Sequence, residues 1–176
     1  MKYIALLRGI NVGGNKKVEM KRLKILFEYS GCSNVSTYIN SGNIIFESNK
    51  KRNEVKEETE KNQKKEFAFD IPVLIKTKQE IKKIADAIPK TWQNNSEQRT
   101  DVAFLFKEID SKEIINNLPV KKEFINIKYI RGAIFWNVKR ENINKSHLIK
   151  IISHKIYQSM TVRNVNTARY LADALK

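Results

Sequence analysis

Arg8, Lys16 and Lys17 bracket three glycines in the stretch LLRGINVGGNKK, residues 6–17. Cations beside glycines suit phosphate binding. The side chains carry charge, and glycine lets main-chain N–H groups approach an anion closely. Gly9, Gly13 and Gly14 do not have the G-x-G-x-x-G spacing of dinucleotide sites, and no Gly-Lys-Ser/Thr of a Walker loop occurs. Two readings stand: a phosphate cradle, or a tight connection in which Gly13 and Gly14 supply positive φ. NSGN at 40–43 poses the same choice. A turn wants Asn and Gly, yet Asn40, Ser41 and Asn43 offer two amides and a hydroxyl beyond that need. A third group lies in TVRNVNT, 161–167, with Thr161, Arg163, Asn164 and Thr167. Asn164 or Asn166 is placed to cap a following helix, where Arg163 would share an anion with the helix N-terminus. Alternatively, Arg163 pairs with an acid or with carbonyls and braces that helix.

Catalytic constellations are sparse. His147 and His154 would stand about 10 Å apart along a helix, too far to share a metal ion. Cys32 has no Cys or His at metal spacing and reads as packing. Glu54, Glu57, Glu58 and Glu60 read as the solvated face of a charged helix. No nucleophile elbow, H-E-x-x-H or C-x-x-C occurs. Asp70, the carboxylate expected nearest the glycine loop, reads as a turn or cap residue rather than a general base. The residues specify no reaction, no cofactor and no metal. Tyr3 and Phe46 could stack bases as in RNA-recognition sheets. SGNIIF lacks the other aromatics of that motif, so both are expected in the core.

The net charge of +15 is uneven. Residues 1–30 hold seven Lys/Arg against two acids, residues 121–176 twelve against three, and the middle is nearly balanced. Such a field draws phosphates, nucleic acid or anionic surfaces. The chain is also rich in Lys, Asn and Ile together, a composition that A/T-rich codons produce without selection for binding. No apolar run reaches the roughly 20 residues that cross a bilayer. A single cysteine excludes an internal disulfide, and the first residues read as a strand rather than a signal peptide, so a cytoplasmic protein is expected.

Periodicity supplies the elements that must position these groups. Residues 2–8 read as a buried strand and 19–30 as a helix with Met20, Leu23, Leu26 and Phe27 on one face, ended by Gly31. Two β-rich runs, 35–39 and 44–46, flank the NSGN turn. Residues 52–67 suit a helix with a poor apolar face, Val55 and Phe67. A strand follows at 72–75 and a helix at 79–88, closed by Pro89. Residues 90–99 are polar and read as a linker between subdomains 1–89 and 100–176. The second half reads as a strand at 101–107 and a short helix at 111–118 with a capping box of Asp110 and Glu113. Strands at 124–130 and 133–138 flank Arg131-Gly132. One helix runs from near Ser146 through Leu148, Ile151, Ile152 and Ile156. The last, 166–175, places Ala168, Leu171 and Leu175 on one face and stands where a fourth strand would be.

The order is βαββαβ, then βαββα. This predicts an α+β protein of two related ferredoxin-like subdomains, each an antiparallel sheet with helices on one face. YINSGNIIF (38–46) and YIRGAIFW (129–136) share a slot, which points to duplication. In such a unit the end of the first strand, the hairpin turn and the start of the fourth strand lie at one end of the sheet. The glycine loop, Asn40–Asn43 and FDIP (69–72) should therefore converge. In the second half Lys107, Arg131 and 161–167 should do the same.

The stretch from LLRGINVGGNKK through YINSGNIIFES closely resembles the start of the bacterial family called domain of unknown function 1697. FDIPVLIKT (69–77), the 129–136 hairpin, Ser146 and TVRNVNT also look like that family, so the resemblance covers essentially the whole chain. It implies an α+β protein of two related ferredoxin-like subdomains and no known activity. The family's late motif reads T-x-R-N-W-N-T. Val165 replaces the tryptophan, while Arg163, Asn164 and Thr167 persist. The 52–67 helix is more polar than the family's.

Three functions follow. The first is a binding protein for a phosphate-bearing ligand, nucleic acid or nucleotide, in a basic cleft. Arg8, Lys16, Lys17 and Arg163 would supply charge there, Gly13 and Gly14 backbone donors, and Asn11, Asn40, Ser41 and Asn43 orientation. The second is an enzyme acting on a small phosphorylated substrate, with Arg8 and Arg163 as clamps. The third is an interaction protein whose motifs are structural.

Overall fold

The computed structural model describes residues 1–14 and 16–174. The chain forms two compact units, one holding Met1–Gln79 and one holding Glu80–Asp173. Each is built on a four-stranded antiparallel sheet.

In the first unit β1 (Lys2–Leu7), α1 (Met20–Tyr29), β2 (Ser33–Tyr38), β3 (Asn43–Glu47), α2 (Arg52–Phe67) and β4 (Val73–Thr77) follow in order. The sheet order is β2-β3-β1-β4. Alternation sorts β1 into two faces. Tyr3, Ala5 and Leu7 join Leu23, Leu26 and Phe27 of α1 and Val55 of α2 in one core. Ile4 and Leu6, on the opposite face, are equally buried. Tyr3 stacks on Phe46 inside the core, centroids 5.6 Å apart, so neither is offered to a base. The poor apolar face expected of α2 is real. Its buried residues are Val55, Thr59 and Gln63. Thr59 returns its hydroxyl to the Val55 and Lys56 carbonyls.

Helix α3 (Lys78–Ala87), which lies in the second unit from Glu80 on, leads to β5 (Gln98–Leu105), β6 (Asn126–Ile130), β7 (Ala133–Lys139), α4 (Lys150–Ser153), β8 (Met160–Asn164) and α5 (Val165–Asp173). The sheet order β6-β7-β5-β8 repeats that of the first unit, the arrangement a duplication would leave. Leu175, expected on the apolar face of α5, lies outside the described residues.

Three expectations need correction here. TVRN is the fourth strand rather than a loop: Met160–Asn164 pairs antiparallel with β5, and only Val165 onward is helical. The helix expected from Ser146 to Ile156 breaks into turns around a four-residue α4. His147 adopts φ 58°, and His154 is extended and accepts the Ile156 N–H at Nδ1. The two histidines therefore do not share a helix. The 111–118 segment is a 3₁₀ helix, Lys112–Asn117, and Asp110 does not cap it. Its carboxylate instead accepts from the Gly132 N–H (2.7 Å) and the Tyr129 hydroxyl (3.0 Å), tying the segment to the β6–β7 turn. The polar stretch 90–99 is tightly bonded. Asn95 Oδ1 accepts from the Glu97 and Gln98 N–H groups, and the Arg169 guanidinium donates to the Pro89 and Trp92 carbonyls.

Candidate functional site

The expected convergence occurs at one end of the first sheet. Leu7 N–H donates to Gly42 O at 2.8 Å and Arg8 N–H to Pro72 O at 3.0 Å. These two bonds join the end of β1 to the hairpin turn and to the segment before β4. Lys16 completes the group. Its Nζ lies 5.4 Å above the Phe69 ring and 3.4 Å from the Asp70 carbonyl oxygen. Asp70 itself is exposed, and its carboxylate is paired with Lys64 at 3.0 Å.

Asn11 organises the loop. With φ 55° it turns the chain. Its Nδ2 donates to Val18 O (2.9 Å) and Asn40 O (2.8 Å), and its Oδ1 accepts from Val18 N–H (2.8 Å). Asn43 is fully buried and its Nδ2 donates to Tyr38 O and Ser41 Oγ. The amide donors of Asn11 and Asn43, expected to orient a ligand, are thus spent on the turn, as is the Ser41 hydroxyl oxygen. Gly42 is structural as well. At φ 75°, an added Cβ would stand 2.8 Å from Leu7 Cβ and from Ile10 Cδ1.

Gly13 and Gly14 differ. Both have positive φ, yet a Cβ on either would meet nothing within 4 Å. The space that a Cβ would take at either is open. Gly14, Lys17, Asn11 and Asn40 line an open hollow of about 440 Å³, together with Val18, Glu19 and Met20. Lys16 and Lys17 are exposed and Arg8 is half-buried. Asn15 lies outside the described residues.

A family model described as "Protein of unknown function (DUF1697)" matches residues 1–136, well over half of the chain. The chain belongs to that family. The family match contains the whole glycine-loop end of the first unit. A solved structure of a conserved bacterial protein from Streptococcus pneumoniae is similar at 27% identity with a TM-score of 0.84, over 99% of this chain and 98% of that one. No curated protein matches.

In this family member the second unit repeats the end-of-sheet geometry. Leu105 N–H donates to Gly132 O and Phe106 N–H to Ser159 O, both at 3.0 Å. Arg131 is exposed in the turn between. The residues Arg163, Asn164 and Thr167 do not join it, because β8 starts at that end and carries them away from it: Asn164 pairs with Asp101, four residues from Leu105 and about 13 Å down the strand. Arg163 is 7% exposed. Its guanidinium donates to Thr161 Oγ1 and Val162 O, both at 2.9 Å, and burial pulls its pKa down to about 10. This is the bracing geometry rather than a clamp open to solvent. Asn164 Oδ1 accepts from Thr167 N–H at 2.9 Å and caps α5, as its type predicts.

Cys32 is buried in the first core, where desolvation raises its thiol to about 11. Among the described residues no group of three His, Cys, Asp or Glu could hold a metal ion. No described helix is long and apolar enough to cross a membrane. Periodicity missed the surroundings of Lys16. Phe67, expected on the apolar face of its helix, packs on the core together with Phe69; their rings lie 6.2 Å apart, each with a cation over it. The alternation in FAFD, beside a basic loop, was the available signal.

Proposed function

We infer that the first unit binds a phosphate-bearing ligand, a nucleic acid or a nucleotide, at the hollow beside the glycine loop. The observation that carries this reading is the shared lining of that hollow by Gly14, Lys17 and Asn40, with open space where a Cβ of Gly13 or Gly14 would stand. A phosphate can approach the main chain there as closely as glycine allows, beside an ammonium group on a long side chain. Glu19, which also lines the hollow, offers an acceptor for a sugar hydroxyl. Asn11 contributes by holding the loop in shape and Arg8 by its charge. The cytoplasm, where such ligands abound, is the compartment this reading assigns.

The test is nuclear magnetic resonance of the whole chain titrated with pyrophosphate and with nucleoside triphosphates. The expected result is saturable shifts of the Gly13 and Gly14 amides, weakened severalfold by Lys17→Gln. Unmoved glycine resonances at millimolar pyrophosphate and nucleotide would refute the reading.

A further inference from the structure

The hollow is one end of a longer surface. Lys16, on the loop that lines it, stands over the Phe69 ring at 5.4 Å. Phe69 neighbours Phe67, and the Arg22 guanidinium lies 5.9 Å over the Phe67 ring. Arg22 in turn lines a second hollow of about 460 Å³ between α1 and α2, with Tyr29, Ile25 and Lys65. Tyr29 is 85% exposed, a large aromatic surface left to water. Cation, ring, ring and cation therefore follow one another between two hollows of one unit.

We propose that this stripe is a stacking platform for single-stranded nucleic acid, running from the glycine loop across Phe69 and Phe67 to Tyr29. It rests on the phosphate reading above, which supplies the anchor at one end. Single strands are held by aromatic faces that accept any base, interleaved with cations that follow the backbone. Phe67 and Phe69 each pack on the core and carry a cation over the ring, so a base can take the place of Lys16 or Arg22 while that cation moves to a phosphate. Arg22 is paired with Glu66, and Lys64 with Asp70, but all four side chains are well exposed. Such pairs are weak in water and yield readily to phosphates. An acidic peptide would use the same cations but leave the rings without a role, so the rings favour nucleic acid.

The native chain is tested by fluorescence anisotropy at low salt with three probes of equal length. These are an oligothymidylate of about twelve nucleotides, the same strand made abasic, and an oligoglutamate peptide. The expected result is about tenfold or tighter binding of the oligothymidylate over both others, with Phe69→Leu narrowing the gap to the abasic strand. Equal affinity for the abasic strand, or for oligoglutamate, would overturn the platform. The glycine resonances under pyrophosphate report on the loop separately, so the platform can fail while the phosphate reading stands. Should Phe69→Leu unfold the unit, the three probes on the native chain still separate stacking from charge alone.

Discussion

Glycines of one sequence stretch answer to different forces. Gly42 sits where both φ and space demand it, because its missing Cβ makes room for Leu7 and Ile10. Gly13 has the φ constraint alone. Gly13→Ala should therefore cost about 1–2 kcal/mol, the usual left-handed penalty, and Gly42→Ala clearly more, as the clash adds to it. Urea denaturation of the two variants compares them directly, and equal midpoints would contradict the packing account. Cys32 makes a pH prediction. Its folded pKa, about 11, is raised above the ordinary thiol value of 9.0 by burial, with Lys50 opposing the rise and Glu58 adding to it. The folded state thus holds the proton longer than the unfolded chain. This contribution to stability is full below about pH 9 and is lost as pH rises towards 11. Native protein at about pH 8, where an unfolded thiol is already partly ionised, should react with iodoacetamide far more slowly than urea-unfolded protein. Rapid labelling of the native thiol would show that the site is open.

At the scale of elements, α2 is the anomaly. Its inward stripe, Val55, Thr59 and Gln63, is spaced for a helix, but only Val55 is apolar. Gln63 is fully buried, and neither its Nε2 nor its Oε1 has a hydrogen-bond partner among the described residues. An unsatisfied buried amide costs about 1–3 kcal/mol. Gln63→Met, close in volume and free of that penalty, should stabilise by an amount in this range, read as a raised urea midpoint. A lowered midpoint would mean that the amide has a partner in solution. Elements also explain which sequence readings failed. Hydrophobic spacing after Ser146 fits a helix, but a residue in the left-handed region at 147 and a bonded imidazole at 154 interrupt it. TVRN is too short and too polar for periodicity to separate strand from loop. Its pairing with β5 decides, and that pairing is long-range.

For the whole molecule, the charge of +15 predicts a strong dependence on salt. Each phosphate contact neutralised by Lys or Arg contributes roughly 0.9 to the slope of log affinity against log salt for duplex DNA and roughly 0.7 for a single strand. Binding of an oligonucleotide should therefore fall by orders of magnitude from about 50 to 200 mM salt. Replacing Lys17 by Gln should lower the slope by about one contact. A flat salt response would make the charge a matter of composition alone, the second explanation that the Lys-, Asn- and Ile-rich chain allows.

The sequence by itself determined the α+β class, the order of the first six elements, and the meeting of glycine loop, hairpin turn and FDIP at one sheet end. Those follow from local periodicity and from the antiparallel hairpin, which leaves one arrangement for the chain ends. Tertiary structure alone decided which polar groups the fold already uses. The amides of Asn11 and Asn43 and the guanidinium of Arg163 are of the right type but are bound to backbone and neighbours. Lys17, Gly14 and Asn40 are of the same type and line an open hollow. Residue type sets what a group can bond to. Only packing sets whether that capacity is already used.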